Sequence, residues 1–156
     1  MKLTLTQKDY QRLLELTHLA MWVVTGYQGE ETAAAKRYFN LDQKLLEWAT
    51  EAGCADLVSR RDDGTLQPSP KLADDEQVRD IQSEFTNDAF WHELVARLAD
   101  HDYSAEQAKR ALAETPSVEP PPTPEERLKQ LEDNYWAEFE KNDLANVIVL
   151  RGGGRG

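Results

Sequence analysis

Cysteine is nearly missing from this chain. Cys54 is the only one, which excludes a disulfide within the chain and any metal centre built from several thiolates. Its close neighbours Glu51 and Asp56 are acidic and do not favour a thiolate, so Cys54 reads as a small, semi-buried packing residue. Histidine is also scarce, at three. His92 and His101 stand nine residues apart, and on one helix that spacing points them to opposite sides, so they form no local ligand pair. No apolar run is long enough to cross a membrane. No basic start followed by an apolar stretch marks a secretory leader, and together these absences favour the cytoplasm.

Positive charge is short as well, with 18 Lys and Arg against 29 Asp and Glu and a net charge of −11. The shortfall is local. Residues 1–73 hold 9 basic and 10 acidic side chains, whereas residues 74–156 hold 9 and 19. An acidic second half disfavours nucleic-acid backbones, which need a basic footprint, and anionic membrane surfaces. It suits a basic protein partner or plain solubility. Nucleophile elbows, His-Glu-x-x-His and complete calcium loops are missing. Asp62-Asp63 lacks the spaced glutamate of a calcium site, and the glycines of Arg151–Gly156 precede no helix and cradle no phosphate. The enzyme question stays open and leans toward a non-enzyme, and no cofactor is implied.

What is present is helix. Thr6 and Asp9 have capping-box spacing ahead of a helix over 6–26, with Leu5 and Tyr10 placed as a hydrophobic staple. Its apolar residues, from Tyr10 through Leu13, Leu14, Leu16 and Leu19 to Val24, cover well over half of the helical wheel. That breadth predicts a helix flanked by several partners. A second helix is expected over 30–52, with Gly53 as its terminating glycine, paired with the first as an antiparallel hairpin. Asp63-Gly64 predicts a β-hairpin over 57–67, with an ordered loop as the alternative. Two helices then follow, to about residue 85 and over 88–100, separated by the capping residues Thr86-Asn87-Asp88. Ser104 and Gln107 open a third, short one to about residue 114. Residues 116–124 form a proline-rich connector. Thr123-Pro124-Glu125-Glu126 starts a C-terminal helix over 124–142. Leu144–Leu150 has the β-branched content of a strand that would pair with Lys2–Leu5, and 151–156 is a flexible tail.

One polar stripe crosses the first helix: Gln11, Glu15, His18, Trp22 and Thr25. Glu15 and His18 stand three apart and share a face, the spacing that carboxylate and imidazole ligands use in helical di-metal bundles. Glu132 lies inside the apolar stripe of the C-terminal helix formed by Leu128, Leu131, Tyr135 and Phe139. Docking of that helix on the first would complete a metal set of Glu15, His18 and Glu132. The four tryptophans, Trp22, Trp48, Trp91 and Trp136, fall one to each long helix and are expected to share a core. Trp22 is the best candidate among them for an exposed anchor. With His92 and Arg97, which lie on the polar side of the 88–100 helix, it makes up the candidate interaction set.

Three stretches, LTLTQKDYQRLL, AFWHELVARLADHD and YWAEFEKNDLANVIV, resemble in their order a group of small acidic bacterial proteins of unassigned function. The resemblance spans most of the chain. It implies no activity, substrate or catalytic residue.

The expected architecture is mainly α: a single-domain helical bundle over 1–150, with a minor β element from the two termini and the 57–67 hairpin. A homodimer through exchange of the last helix across its stiff connector is a further expectation. The first functional reading is a non-enzymatic protein-interaction module. A metal-binding helical protein using Glu15 and His18 is the alternative, and an acidic mimic of nucleic acid is the third.

Overall fold

Local chemistry sets most of the helix ends. A computed structural model describes residues 4–26, 32–112 and 122–148. Within them lie helices α1 (Gln7–Thr25), α2 (Ala33–Glu47), α3 (Pro70–Ala73), α4 (Glu76–Leu112) and α5 (Pro124–Asn142), and strands β1 (Val58–Arg60) and β2 (Leu66–Pro68). The fold is mainly α with one minor hairpin. Thr6 caps α1 reciprocally with Asp9: the threonine oxygen accepts from the Asp9 N–H at 3.2 Å, and the carboxylate accepts from the Thr6 N–H at 3.3 Å. Thr123 and Glu126 cap α5 in the same way, and Thr32 caps α2. Each device meets backbone N–H groups that the first turn leaves without partners.

Contacts cluster in two compact units, Met1–Thr86 and Asn87–Gly156, and the boundary falls inside α4. In the first unit α1 and α2 form the expected hairpin. Tyr10, Leu14, Leu46, Ala49, Cys54, Leu57 and Leu72 make the core. The Tyr10 hydroxyl donates to the Leu45 carbonyl across the pair. After α2 the chain turns through 48–53 and closes on Gly53. The Cys54 N–H donates to the Ala49 carbonyl at 2.7 Å and the Gly53 N–H to the Thr50 carbonyl at 3.2 Å, the bond pattern of a Schellman motif. A 3₁₀ turn over Ala55–Leu57 leads into β1.

The hairpin forms at 58–68, and the ordered-loop alternative does not. β1 and β2 run antiparallel, with Val58 opposite Pro68, Ser59 opposite Gln67 and Arg60 opposite Leu66. Gly64 takes φ 89°, and the Asp63 carboxylate accepts from the Thr65 N–H at 2.9 Å. The outer edge of β2 is covered by a side chain. Gln43 donates its amide to the Leu66 carbonyl and accepts from the Leu66 N–H, both at 2.8 Å, so one residue of α2 substitutes for a third strand.

In the second unit α5 runs antiparallel to residues 87–112 of α4, since Arg127 meets Glu106 at one end and Phe139 meets Trp91 at the other. Val95 and Ala99 of α4 and Leu131 and Phe139 of α5 are buried.

Several expectations change. The two or three helices expected between 74 and 114 are one, because no proline or glycine interrupts residues 71–115. The residues expected to cap a break are absorbed instead: the Thr86 hydroxyl donates to the Gln82 carbonyl, and Asn87 accepts from the Trp91 indole N–H. The strand expected from the termini does not form in its described part. Residues 4–6 and 147–148 carry no regular structure and 143–146 are turns. Met1–Leu3, Val149–Leu150, most of the proline-rich connector and the 151–156 tail lie outside the described residues. The breadth of the α1 apolar face does not translate into enclosure: only Tyr10 and Leu14 are buried in α1, while Leu16 and Val23 are 64% and 55% exposed. Nor do the tryptophans share a core. None is buried, and Trp48, just past the end of α2, is 53% exposed.

Candidate functional site

The polar stripe of α1 holds the residues singled out for metal. Glu15 and His18 are half-buried one turn apart. Glu15 accepts from the Gln11 amide at 3.0 Å. Burial lowers the pKa of His18 from its ordinary value, which favours the neutral imidazole. Trp22, one turn further on, packs edge-on against Phe85 of α4 at 6.0 Å between ring centres. It is therefore an internal contact of the first unit, and Trp48 is the more exposed indole. Glu132, half-buried on α5, belongs to the second unit. Among the described residues of either unit, no group of three or more His, Cys, Asp or Glu is arranged to hold a metal ion. Cys54 is buried, and burial together with Asp56 raises its pKa. Both effects keep it a thiol.

Between α1 and α2 runs an open groove of ≈ 520 Å³. Its walls are Leu13, Leu16, Ala20 and Val24 on one side and Tyr38, Leu41 and Leu45 on the other, with Thr17 and Asp42 as polar members. The Thr17 hydroxyl is taken by the Leu13 carbonyl at 2.8 Å. The groove exists because α1 carries more apolar surface than α2 alone covers.

The second unit carries a different kind of site. A cleft of ≈ 570 Å³ opens at the C-terminal end of α5. Trp91 of α4 and Trp136 and Phe139 of α5 give it aromatic walls, and Glu140, Lys141, Asn142 and Asp143 complete it. Trp136 and Glu140 stand i, i+4 on one face at the end of the helix, and Asp143 follows as its C-cap. The Trp91 and Phe139 rings stand 5.3 Å apart at 42°. His92 meets Trp136 edge-on at 4.9 Å, and Trp91 is held by its bond to Asn87 at 3.2 Å. Asp143 terminates α5 with φ 51° and donates its N–H to the Phe139 carbonyl at 2.9 Å. Its carboxylate accepts from the Leu144 N–H at 2.7 Å.

Two polar links staple the two helices of this unit. Arg127 grips Glu106 with two parallel bonds, the Nε bond at 2.9 Å, and this hydrogen-bonded guanidinium holds the Glu106 carboxyl below its ordinary range. The Tyr135 hydroxyl donates to Asp102 at 2.5 Å. Burial, then that bond, pushes the Tyr135 pKa up to about 12. Asp102 also meets the His101 Nδ1 at 3.1 Å, and the Tyr135 and His101 bonds hold it below the ordinary carboxylate value. Of the residues named for interaction, His92 is exposed but engaged with Trp136. Arg97 is exposed and bonds Glu93 at 2.6 Å, the i,i+4 pair its spacing predicts.

Sequence reasoning missed the cleft. The pair of Trp136 and Glu140 is readable on α5, but nothing local indicates that Trp91, some 45 residues earlier, supplies the opposite wall. Among the described residues no helix is long and apolar enough to cross a membrane. No family model, curated protein or solved structure matches this chain.

Proposed function

We propose that the protein is a non-enzymatic interaction module that recognises a basic protein partner through its acidic second half. The observation that carries this reading is the charge on α5 and its end. Residues 124–143 hold seven acidic side chains against three basic ones, and Glu125, Glu126, Asp133, Glu140 and Asp143 among them are exposed. Carboxylates presented along a rigid helix attract a positive surface over about a Debye length, roughly 8–10 Å at physiological salt. They raise the rate of encounter more than they deepen affinity. The protein immobilised as the full chain should retain basic proteins from an extract at low salt and release them as salt rises. Retention of nothing at low salt, or of proteins that salt does not release, overturns the reading.

A further inference from the structure

We propose that the cleft at the end of α5 is a binding site for a cationic side chain, a lysine ammonium or arginine guanidinium, presented by a basic segment of a protein partner. The proposal rests on the interaction reading above and gives it an address and a chemistry.

Three independent features of the cleft favour a positive group. The first is aromatic. The indoles of Trp91 and Trp136 and the ring of Phe139 line it, and the negative face of an aromatic quadrupole attracts a cation, most strongly for tryptophan. Both indoles are half-buried, so each keeps part of its surface open. The second is ionic. Glu140 and Asp143 stand at its edge and both are exposed. Lys141 is the one basic residue in the lining. Lys141 lies over neither indole. The third is the helix itself. The cleft lies at the last turn of α5, where the negative end of the macrodipole favours a cation.

The chemistry also selects against other occupants. A plain apolar group gains from the rings but brings no positive charge to the two carboxylates or the helix terminus. An anion meets two carboxylates and the negative end of the helix dipole, with Lys141 alone of the right sign. A long basic side chain fits both halves, because its methylene stem lies on the aromatic walls while its charged head reaches the carboxylates.

Three peptides of equal length test this by calorimetry with the full chain: oligo-lysine, oligo-arginine and oligo-(acetyl-lysine). Acetylation removes the charge and keeps the stem. The two basic peptides should bind and the acetylated one should not. Trp136→Leu, which removes the ring but keeps apolar bulk, should weaken binding roughly 2- to 30-fold, the range of one cation–π contact. Trp136 also packs against His92, so the double variant Glu140→Gln/Asp143→Asn provides a second route. Asparagine tolerates the positive φ at 143, and this variant should weaken binding at least as much. Asp100→Asn, on an exposed α4 position outside the cleft lining, should change little. Equal binding of the acetylated peptide overturns the proposal, as does an unchanged affinity in both cleft variants. If the basic peptides bind in a salt-sensitive way and Asp100→Asn matters as much as the cleft variants, the acidic-surface reading stands and the cleft does not. If no basic peptide binds at low salt, the cleft proposal fails, whatever proteins the extract yields.

Discussion

At Gly53 the chain leaves the helical turn after α2 with φ 75°. A Cβ there would sit 3.1 Å from the Gln7 amide nitrogen, and that same amide donates to the Gly53 carbonyl at 2.6 Å. Gly53→Ala therefore combines a left-handed backbone with crowding of a bond that ties α1 to the end of the α2 segment. The left-handed conformation alone costs an L-residue about 1–2 kcal/mol. Denaturant unfolding should show a loss of at least that size, whereas alanine at exposed Gln11, also on α1, should fall within about 0.5 kcal/mol of the parent. Gly53 was readable from sequence as a helix stop. Its closeness to Gln7 was not, because 46 residues separate the two.

At the scale of the element, α4 decides between a local signal and a continuous one. Thr86-Asn87-Asp88 has the chemistry of a fresh helix start, yet the helix runs through it. Capping residues permit a break but do not force one. Only proline or glycine would do so strongly, and this stretch has neither. Asp88→Pro separates the two cases. Were Asn87 a true cap, proline would fall at the first helical position, where it is well tolerated. In the continuous α4 it removes a backbone bond and clashes with the preceding turn, at a cost of about 3 kcal/mol. Circular dichroism and denaturant melts should show lost helix and lost stability. The caps of α1 and α5 were legible because each is a four-residue device that opens directly onto a helix.

For the whole molecule, pH should erode stability from both sides, through different units. Burial lowers the His18 pKa below 6.5 in the first unit. The stability tied to its neutral form is then fully present above 6.5 and is lost as pH falls through the lowered folded value. Burial and Asp102 raise Tyr135 in the second unit from 10.0 to about 12. Its contribution is full below 10.0 and is lost as pH rises through about 12. Unfolding measured across pH should show both limbs. His18→Gln should flatten the upper part of the acid limb, and Tyr135→Phe the alkaline one. Below the histidine range, carboxylates with lowered pKa values, Glu106 beside Arg127 and Asp102 beside Tyr135, take over the acid limb. A stability that does not change between neutral pH and pH 12 would contradict the Tyr135 assignment.

The sequence by itself determined what depends on neighbours a few residues away. That covers the mainly helical class, the reciprocal caps at Thr6 and Thr123, the turn at Asp63-Gly64, the Glu93–Arg97 pair and the acidic second half. Tertiary structure decided what depends on contacts between distant segments. It determined which face of α1 is covered, leaving Leu16 and Val23 exposed where the helical wheel alone suggested enclosure. It turned Trp22 toward Phe85 and left Trp48 exposed. It gave Gln43 the place of a third strand, and it set Trp91 opposite Trp136 and Phe139. Periodicity shows that a residue belongs to an apolar arc but not which partner, if any, reaches it. For that reason the aromatic and acidic cleft was visible in the sequence only as its α5 half.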